Sequence, residues 1–155
     1  MKKVFLDTNV FVSGLLDDAP DSACRAILEG LATKRLTSCV TAWHCCLEFF
    51  SVTTRLPPDY RLSPDDAIAL MTEHIFGRVE VADLPVKDAI AWLKAQRHAP
   101  VRGGLIYDAH LAAVAAGAGC SFLVTRNLAD FRRIAPHGIE ILSPEQFVAR
   151  LSPIS

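Results

Sequence analysis

Short apolar runs alternate along the chain with longer segments in which apolar residues recur every three or four positions. The short runs are typical of buried strands, which we predict over residues 3–6, 36–40, 79–82, 122–125 and 139–142. The longer segments predict helices, as in residues 22–32, where Cys24, Ile27, Leu28 and Leu31 share one face. Strands that alternate with helices in this way indicate an α/β sandwich around a largely parallel sheet.

Capping residues mark the starts of two further predicted helices. Ser63 is followed by Pro64 and two acidic residues, a pattern typical of the start of a helix, here over residues 63–75. Thr41 is predicted to be the N-cap of a helix over residues 42–54. The remaining helices are predicted over residues 85–97, 105–116 and 128–134, and from residue 143 onward.

Length and charge limit the classes of protein that fit. The 155 residues predict one domain spanning residues 1–155, and a content of 51% hydrophobic and 21% charged residues predicts a folded globule. Sixteen basic and 17 acidic residues give a formal charge of −1. Nonspecific polyanion binders are usually strongly basic, so this balance argues against that class.

The cysteines and the apolar stretches indicate a location. Five cysteines, an odd number without a CxxC pair, are expected to be reduced thiols buried as small apolar residues. Asp7 interrupts the apolar run near the N-terminus, and the longest uncharged stretch, residues 109–125, is short for a membrane span. We therefore expect a cytoplasmic protein that does not associate with a membrane.

Four acidic residues are candidates for chemistry. Asp7 and Asp130 follow predicted strands, and Glu48 lies two turns into the helix after the second strand. These three belong to the carboxyl edge of the sheet, where open α/β sheets bind ligands, and Asp108 joins them if its helix begins at that edge. Glu48 and Asp108 stand within apolar segments. A carboxylate buried there costs several kcal/mol unless it is paired, hydrogen-bonded or bound to a metal.

Each acid also has an ordinary structural interpretation. Asp7 could cap the next helix, and Asp108 could interact favourably with a helix dipole. The other two could form ion pairs, with Arg132 or Arg133 for Asp130 and with Arg55 or His44 for Glu48. Taken together, four acids at one edge without a matching cluster of bases favour a cation site. Oxygen ligands without Cys or His at ligand spacing suit Mg²⁺ or Mn²⁺ better than Zn²⁺.

Four segments together resemble a known family. They are Val4-Phe5-Leu6-Asp7-Thr8-Asn9, the helical Glu48, Tyr107-Asp108-Ala109 and the run from Val124 to Phe131. In order and spacing they resemble the PIN domain, and the size and layout of the chain resemble the VapC toxins of bacterial toxin–antitoxin pairs. The resemblance implies a three-layer α/β/α sandwich with about five strands. It also implies a Mg²⁺- or Mn²⁺-dependent endoribonuclease that leaves 5′-phosphate and 3′-hydroxyl ends.

The resemblance also assigns roles to individual residues. Asp7, Glu48 and Asp108 match the three central acidic positions, with Asp7 and Asp108 as direct metal ligands and Glu48 as a ligand or as a group that orients a metal-bound water. Asp130 is our choice for the fourth acidic position, and Asn127 is the alternative. The polar positions that would hold these carboxylates are Thr8, Asn9 and Thr125.

The resemblance further implies structured RNA, such as tRNA or rRNA, as substrate, together with an antitoxin partner and a homodimer. The apolar first helices could form a groove for an antitoxin segment, although core packing explains them equally well. Trp43 and Trp92 are interpreted as core or partner-facing anchors rather than base-stacking platforms. Two alternative functions are a catalytically silent PIN-like interaction module and a structure-specific DNA nuclease that uses the same acids.

Overall fold

A computed structural model describes residues 2–16 and 22–151 of the chain. Its sheet consists of β1 (Val4–Leu6), β2 (Cys39–Ala42), β3 (Glu80–Ala82), β4 (Phe122–Val124) and β5 (Glu140–Leu142). The strand order is β3-β2-β1-β4-β5, and every neighbouring pair is parallel. The predicted α/β class with a parallel sheet is therefore confirmed.

The helices connect these strands and cover both faces of the sheet. They are α1 (Thr8–Leu16), α2 (Ala23–Ala32), α3 (Trp43–Thr54), α4 (Pro64–His74), α5 (Val86–Ala95), α6 (Leu105–Gly117), α7 (Leu128–Ile134) and α8 (Pro144–Leu151). A short 3₁₀ turn, Gln96–His98, follows α5. The two helical layers and the sheet form the expected three-layer sandwich.

The pleat of the strands divides the core into two layers. Val4 and Leu6 pack on one face of the sheet, against α1, α2, α3, α4 and α8. Phe5 packs on the other face, mainly against α6 and α7. Because successive side chains of a strand point to opposite faces, a strand covered on both sides must be apolar throughout. This requirement explains why β1 has no polar position.

Two predicted caps have different outcomes. Ser63 caps α4 as expected, because its hydroxyl accepts a hydrogen bond from the Asp66 amide at 3.1 Å. The prediction for Thr41 is wrong, because Thr41 belongs to β2 and α3 begins after Ala42. The Thr41 hydroxyl instead donates to the Leu6 carbonyl at 2.8 Å, which satisfies a fully buried polar side chain.

The central strands bring their carboxyl ends side by side. The Asp7 amide donates to the Val124 carbonyl at 3.1 Å, and the Thr125 amide donates to the Leu142 carbonyl at 3.0 Å. These bonds extend the ladder one residue beyond β1 and β4, so the side chains that follow the two strands have fixed positions.

Two observations concern the cysteines and the membrane. All five cysteines are free and buried, as expected from the sequence. Within the described ranges, no helix is long and apolar enough to cross a membrane.

Candidate active site

Asp7 is the buried centre of the carboxyl edge. It precedes α1 directly, and only 6% of its surface is exposed. Its Oδ1 accepts a hydrogen bond from the Thr8 amide at 2.8 Å. Its Oδ2 accepts from the Thr125 hydroxyl at 2.7 Å and from the Asn9 side-chain amide at 3.1 Å. Three neutral donors therefore fix the orientation of this carboxylate.

Burial raises the pKa of Asp7 to about 6, because the charged form is removed from water. The hydrogen bonds from Thr125 and the Thr8 amide act in the opposite direction, and the negative charges of Glu48 and Asp108 raise the pKa further. A carboxylate in this environment gains from a nearby cation, because a positive charge would offset both burial and repulsion.

A second network of hydrogen bonds holds the ends of β1 and β4 together. The Asn9 side-chain amide donates to the Thr125 hydroxyl oxygen at 3.3 Å, and its carbonyl oxygen accepts from the Arg126 amide at 3.1 Å. The Asn127 amide donates to the Thr125 hydroxyl oxygen at 3.0 Å. Thr125 thus fixes both the Asp7 carboxylate and the turn that follows β4.

Glu48 reaches this edge from α3. Its Oε2 accepts a hydrogen bond from the Thr8 hydroxyl at 3.0 Å and lies 3.9 Å from Nε2 of His44. The burial expected from its apolar sequence neighbours is wrong, because 45% of the side chain is exposed. The helix directs Cys45 and Phe49 into the core and turns Glu48 toward solvent.

Asp108 and Asp130 are bridged by a single amide group. Nδ2 of Asn127 donates to Oδ2 of Asp108 at 3.3 Å and to Oδ2 of Asp130 at 3.1 Å. Helix α6 therefore begins at the carboxyl edge, as its proposed role required. Partial burial raises the pKa of Asp108, and the charges of Asp130 and Glu48 raise it further. Asp130 also lies 3.8 Å from Nη1 of Arg133, one of the two arginines expected as its ion-pair partner.

The structure brings all eight predicted side chains into one hydrogen-bonded region. Thr8 joins Asp7 to Glu48, Thr125 and Asn9 surround Asp7, and Asn127 joins Asp108 to Asp130 through the contacts described above. Asn127 and Asp130 thus occupy complementary positions, the first as a donor and the second as an acid.

An aromatic pair at the rim was not predicted. The rings of His44 and Tyr107 stack with centroids 5.7 Å apart and an angle of 8° between their planes. Tyr107 directly precedes Asp108 in the first turn of α6, and His44 lies one turn before Glu48 in α3. The sequence could have indicated this pair, because Tyr107 and His44 lie within one helical turn of the candidate acids and therefore near the same edge.

An open cleft of about 470 Å³ extends from the carboxylates. It is lined by Pro100, Arg102, Gly104, Leu105, Asp108, Asp130 and Arg133. The guanidinium group of Arg102 donates to the carbonyls of Ala99 and Val101, which keeps its charge at the cleft wall. The cleft therefore presents carboxylates and guanidinium groups together, and a guanidinium group can bind a phosphate.

Comparison with known proteins identifies the family of this fold. A model of the PIN domain matches residues 3–129. The chain belongs to the PIN-domain family. The match includes Asp7, Glu48, Asp108 and Asn127, and it ends one residue before Asp130.

One curated PIN-domain relative is Ribonuclease VapC27 of Mycobacterium tuberculosis (strain ATCC 25618 / H37Rv), which is 38% identical over 84 residues. The alignment covers 54% of this chain and 58% of the relative, so it spans little more than half the length of either protein.

Two solved complexes share the PIN fold. VapBC2 from Rickettsia felis, bound to a DNA fragment from its promoter, matches with a TM-score of 0.61 and 19% identity over 90% of this chain and 97% of that chain. DNA-bound VapBC from Salmonella typhimurium matches with a TM-score of 0.59 and 26% identity over 93% and 99%. At 19% identity, the first of these matches shows the fold alone.

PIN-domain nucleases of the VapC type generally depend on a divalent metal ion. Among residues 2–16 and 22–151, no three His, Cys, Asp or Glu side chains are close enough to form a complete metal cage. Mg²⁺ rarely uses such a cage, because it keeps several waters and binds one or two carboxylates together with substrate phosphates. The oxygen-only donors and the unfavourable charge at Asp7 and Asp108 fit an ion of this kind.

Proposed function

We propose that this PIN-domain protein is a Mg²⁺- or Mn²⁺-dependent endoribonuclease that acts as the toxin of a toxin–antitoxin pair. One observation carries the proposal: hydrogen bonds link two pairs of acids at one sheet edge. Thr8 bonds to both Asp7 and Glu48, and Asn127 bonds to both Asp108 and Asp130. The name of the VapC27 relative supports ribonuclease activity. We further propose structured RNA, such as tRNA or rRNA, as the substrate.

In this proposal Asp7 and Asp108 hold the metal, with Glu48 and Asp130 binding it or orienting its waters. A bound divalent ion supplies an activated water and neutralises charge on the phosphate and the leaving oxygen. Thr8, Asn9 and Thr125 keep the Asp7 carboxylate in one orientation, and Asn127 performs the same task for Asp108 and Asp130. Attack of water on phosphorus would break the bond between phosphorus and the 3′ oxygen, which takes up a proton, and would leave 5′-phosphate and 3′-hydroxyl ends.

The direct test is cleavage of tRNA and rRNA fragments by the purified protein with Mn²⁺, with chelator and after Asp108→Asn. We expect chelator and Asp108→Asn each to abolish cleavage. The matched control is Asp65→Asn, which neutralises an exposed acid in the first turn of α4. Cleavage that survives both chelator and Asp108→Asn would overturn the proposal. Flapped DNA in the same assay tests for a DNA nuclease.

We also propose an antitoxin partner, as in the two VapBC complexes. An apolar groove of about 460 Å³ between α1 and the segment after α3 is a candidate for its binding segment. The groove is lined by Val12, Ser13, Leu16, Leu56, Pro57 and Tyr60. We expect Val12→Asp to weaken pull-down of an antitoxin encoded beside this chain, whereas the control Ile68→Asp, at an exposed position of α4, leaves it unchanged.

A homodimer is supported by α5, none of whose residues is buried. Val86, Ile90 and Leu93 follow helical spacing along one exposed face of this helix, and such an apolar face favours association. Sedimentation of Ile90→Glu tests this interpretation, and we expect a shift from dimer to monomer. The same sedimentation coefficient in wild type and variant would contradict it.

Two further expectations complete the proposal. We propose that residues 1–155 form a single domain, of which residues 1, 17–21 and 152–155 lie outside the described residues. We propose the cytoplasm as its location, because five free buried thiols suit a reducing compartment.

A further inference from the structure

A second cavity, of about 530 Å³, lies between α5, α6 and the end of α7. Its size is within the range of small-molecule binding sites. Most of its lining is apolar, including Leu84, Trp92 and Val101, with additional small residues from α6. Three polar side chains also line it, namely Asp88, Gln96 and Arg133. A flat apolar ligand with a polar edge would match such a surface.

This cavity lies next to the acid-lined cleft, because the two spaces share lining residues. Pro100 and Arg133 line both spaces, whereas Asp108 and Asp130 line only the cleft. Nη1 of Arg133 lies 3.8 Å from Oδ1 of Asp130, so this guanidinium group stands at the junction. A ligand that fills both spaces would place an anionic group near Arg133 and the carboxylates, and an apolar group beside Trp92.

The orientation of Trp92 is fixed by its neighbours. The indole meets the His110 ring edge-on, with centroids 5.5 Å apart and an angle of 65° between the planes. His110 in turn lies 3.7 Å from Asp83. The side chain of Gln96 donates to the Trp92 carbonyl at 2.9 Å, which holds this amide at the cavity wall. The aromatic wall and one polar group are therefore in place before a ligand binds.

We infer that this cavity binds a nucleobase of the RNA substrate, adjacent to the phosphate that lies in the cleft. The inference rests on the proposed function. Single-stranded RNA is recognised by stacking of unpaired bases on aromatic side chains and by hydrogen bonds to base edges. Trp92 supplies the aromatic surface. Arg133, on the wall shared by the cavity and the cleft, would contact the phosphate next to the bound base. Trp92 is thus a specificity-determining residue rather than only a core anchor.

The polar lining predicts which bases are preferred. Asp88 carries only hydrogen-bond acceptors when ionised, and it lies in the first turn of α5. Adenine, cytosine and guanine present amino groups as donors, whereas the one base donor of uracil, N3–H, lies between two carbonyl oxygens that an ionised carboxylate repels. We therefore expect the cavity to prefer amino-bearing bases to uracil.

The first test measures binding without cleavage. The chain contains two tryptophans, so Trp43→Phe leaves Trp92 as the only indole reporter. In chelator, we expect AMP, GMP and CMP to quench its fluorescence to saturation, UMP to bind more weakly, and ribose 5-phosphate to have no effect. Loss of base stacking costs roughly tenfold or more in affinity, and this is the weakening expected when the cavity is filled by Ala113→Leu.

The matched control for Ala113→Leu is Ala91→Leu, an exposed position of α5 that does not line the cavity. Equal effects of these two substitutions would overturn the inference, as would equal quenching by ribose 5-phosphate and the nucleotides. Thermal melts establish that both variants are folded before the titrations are compared.

The second test uses cleavage of an RNA pool with a randomised sequence around the cut. We expect Trp92→Leu to relax the base preference at one position and to raise KM roughly tenfold, with kcat changed less than about twofold. Trp43→Leu is the control. If Trp92→Leu leaves the base preference unchanged, the cavity inference fails while the nuclease stands. If nucleotides quench Trp92 but no RNA is cleaved, the cavity stands and the nuclease fails.

Discussion

The inner and outer parts of the carboxyl edge are built in different ways. The inner part is Asp7 with Asn9 and Thr125, where a buried acid is held by neutral donors. The outer part contains Glu48 and Asp130, which are about half exposed and lie near the ionisable side chains His44 and Arg133. The two parts use the same functional group in opposite electrostatic surroundings.

This difference shows that the electrostatic cost of the site falls mainly on Asp7. A buried carboxylate with a raised pKa favours protonation in the metal-free protein, whereas an exposed one is stabilised by water. The inner part is therefore preorganised at a cost to folding, and the outer part can adapt to different phosphate positions. Substitutions should separate the two parts by both activity and stability.

Within these two parts, the largest expected effect is on catalysis at Asp7. Asp7→Asn removes the proposed central metal ligand, and we expect the RNA cleavage rate to fall by about three orders of magnitude, equivalent to roughly 4 kcal/mol. Single-turnover cleavage with saturating Mn²⁺ measures this change. A loss smaller than that caused by Asp130→Asn would reverse the proposed order of the two parts.

The next largest effect is expected at Thr125. Thr125→Val removes the 2.7 Å hydrogen bond to Asp7 while preserving shape, and loss of a residue that orients a metal ligand typically costs 10–100-fold in metal affinity or activity. Thr53→Val is a matched control, because Thr53 is also fully buried but donates to the Phe49 carbonyl. Similar losses of activity in the two variants would show that Thr125 acts only through stability.

The substitution Asp7→Asn, which should lower the cleavage rate, should stabilise the folded protein. Because the folded-state pKa is raised from 3.8 to about 6, the ionised form destabilises the metal-free protein at neutral pH. Asp7→Asn should therefore raise the free energy of unfolding by about 1–3 kcal/mol at pH 7 in chelator.

The pH dependence supplies a check on this explanation. The stability that wild type retains from protonated Asp7 is fully present below pH 3.8 and is lost as the pH rises through 6. The advantage of Asp7→Asn, measured by urea unfolding, should grow across this interval. An advantage that is constant from pH 4 to pH 7 would point to a cause other than ionisation.

The smallest effects are expected in the outer part. Asp130→Asn removes an acid whose ion pair with Arg133 is partly exposed, so stability should change by less than about 1 kcal/mol. Cleavage should fall only about tenfold or less, since Asn127 and Asp108 remain in place. Asn127→Ala should reduce cleavage more than Asp130→Asn, because it leaves two acids without their shared donor. The opposite order would make Asp130 the more important of the pair.

The sequence could predict the inner part better than the outer one, for physical reasons. Asp7 and Thr125 directly follow strands, so the position of the sheet determines theirs. Glu48 lies within an apolar run in which the preceding residue, Leu47, is also exposed. Periodicity alone does not separate the buried positions of this run from the exposed ones. The cavity beside Trp92 depends on how α5 lies against α6 and α7, which local patterns do not encode.

The hydrogen bond between Asp7 and Thr125 joins residues that are 118 positions apart in the chain. During synthesis, the first carboxylate leaves the ribosome long before the hydroxyl group that orients it, and Asp108 and Asn127 also arrive late. A nascent chain therefore has no complete set of site residues until β4 has inserted beside β1. The ribosome that makes this protein therefore meets no complete set of the proposed nuclease residues until translation has passed residue 127.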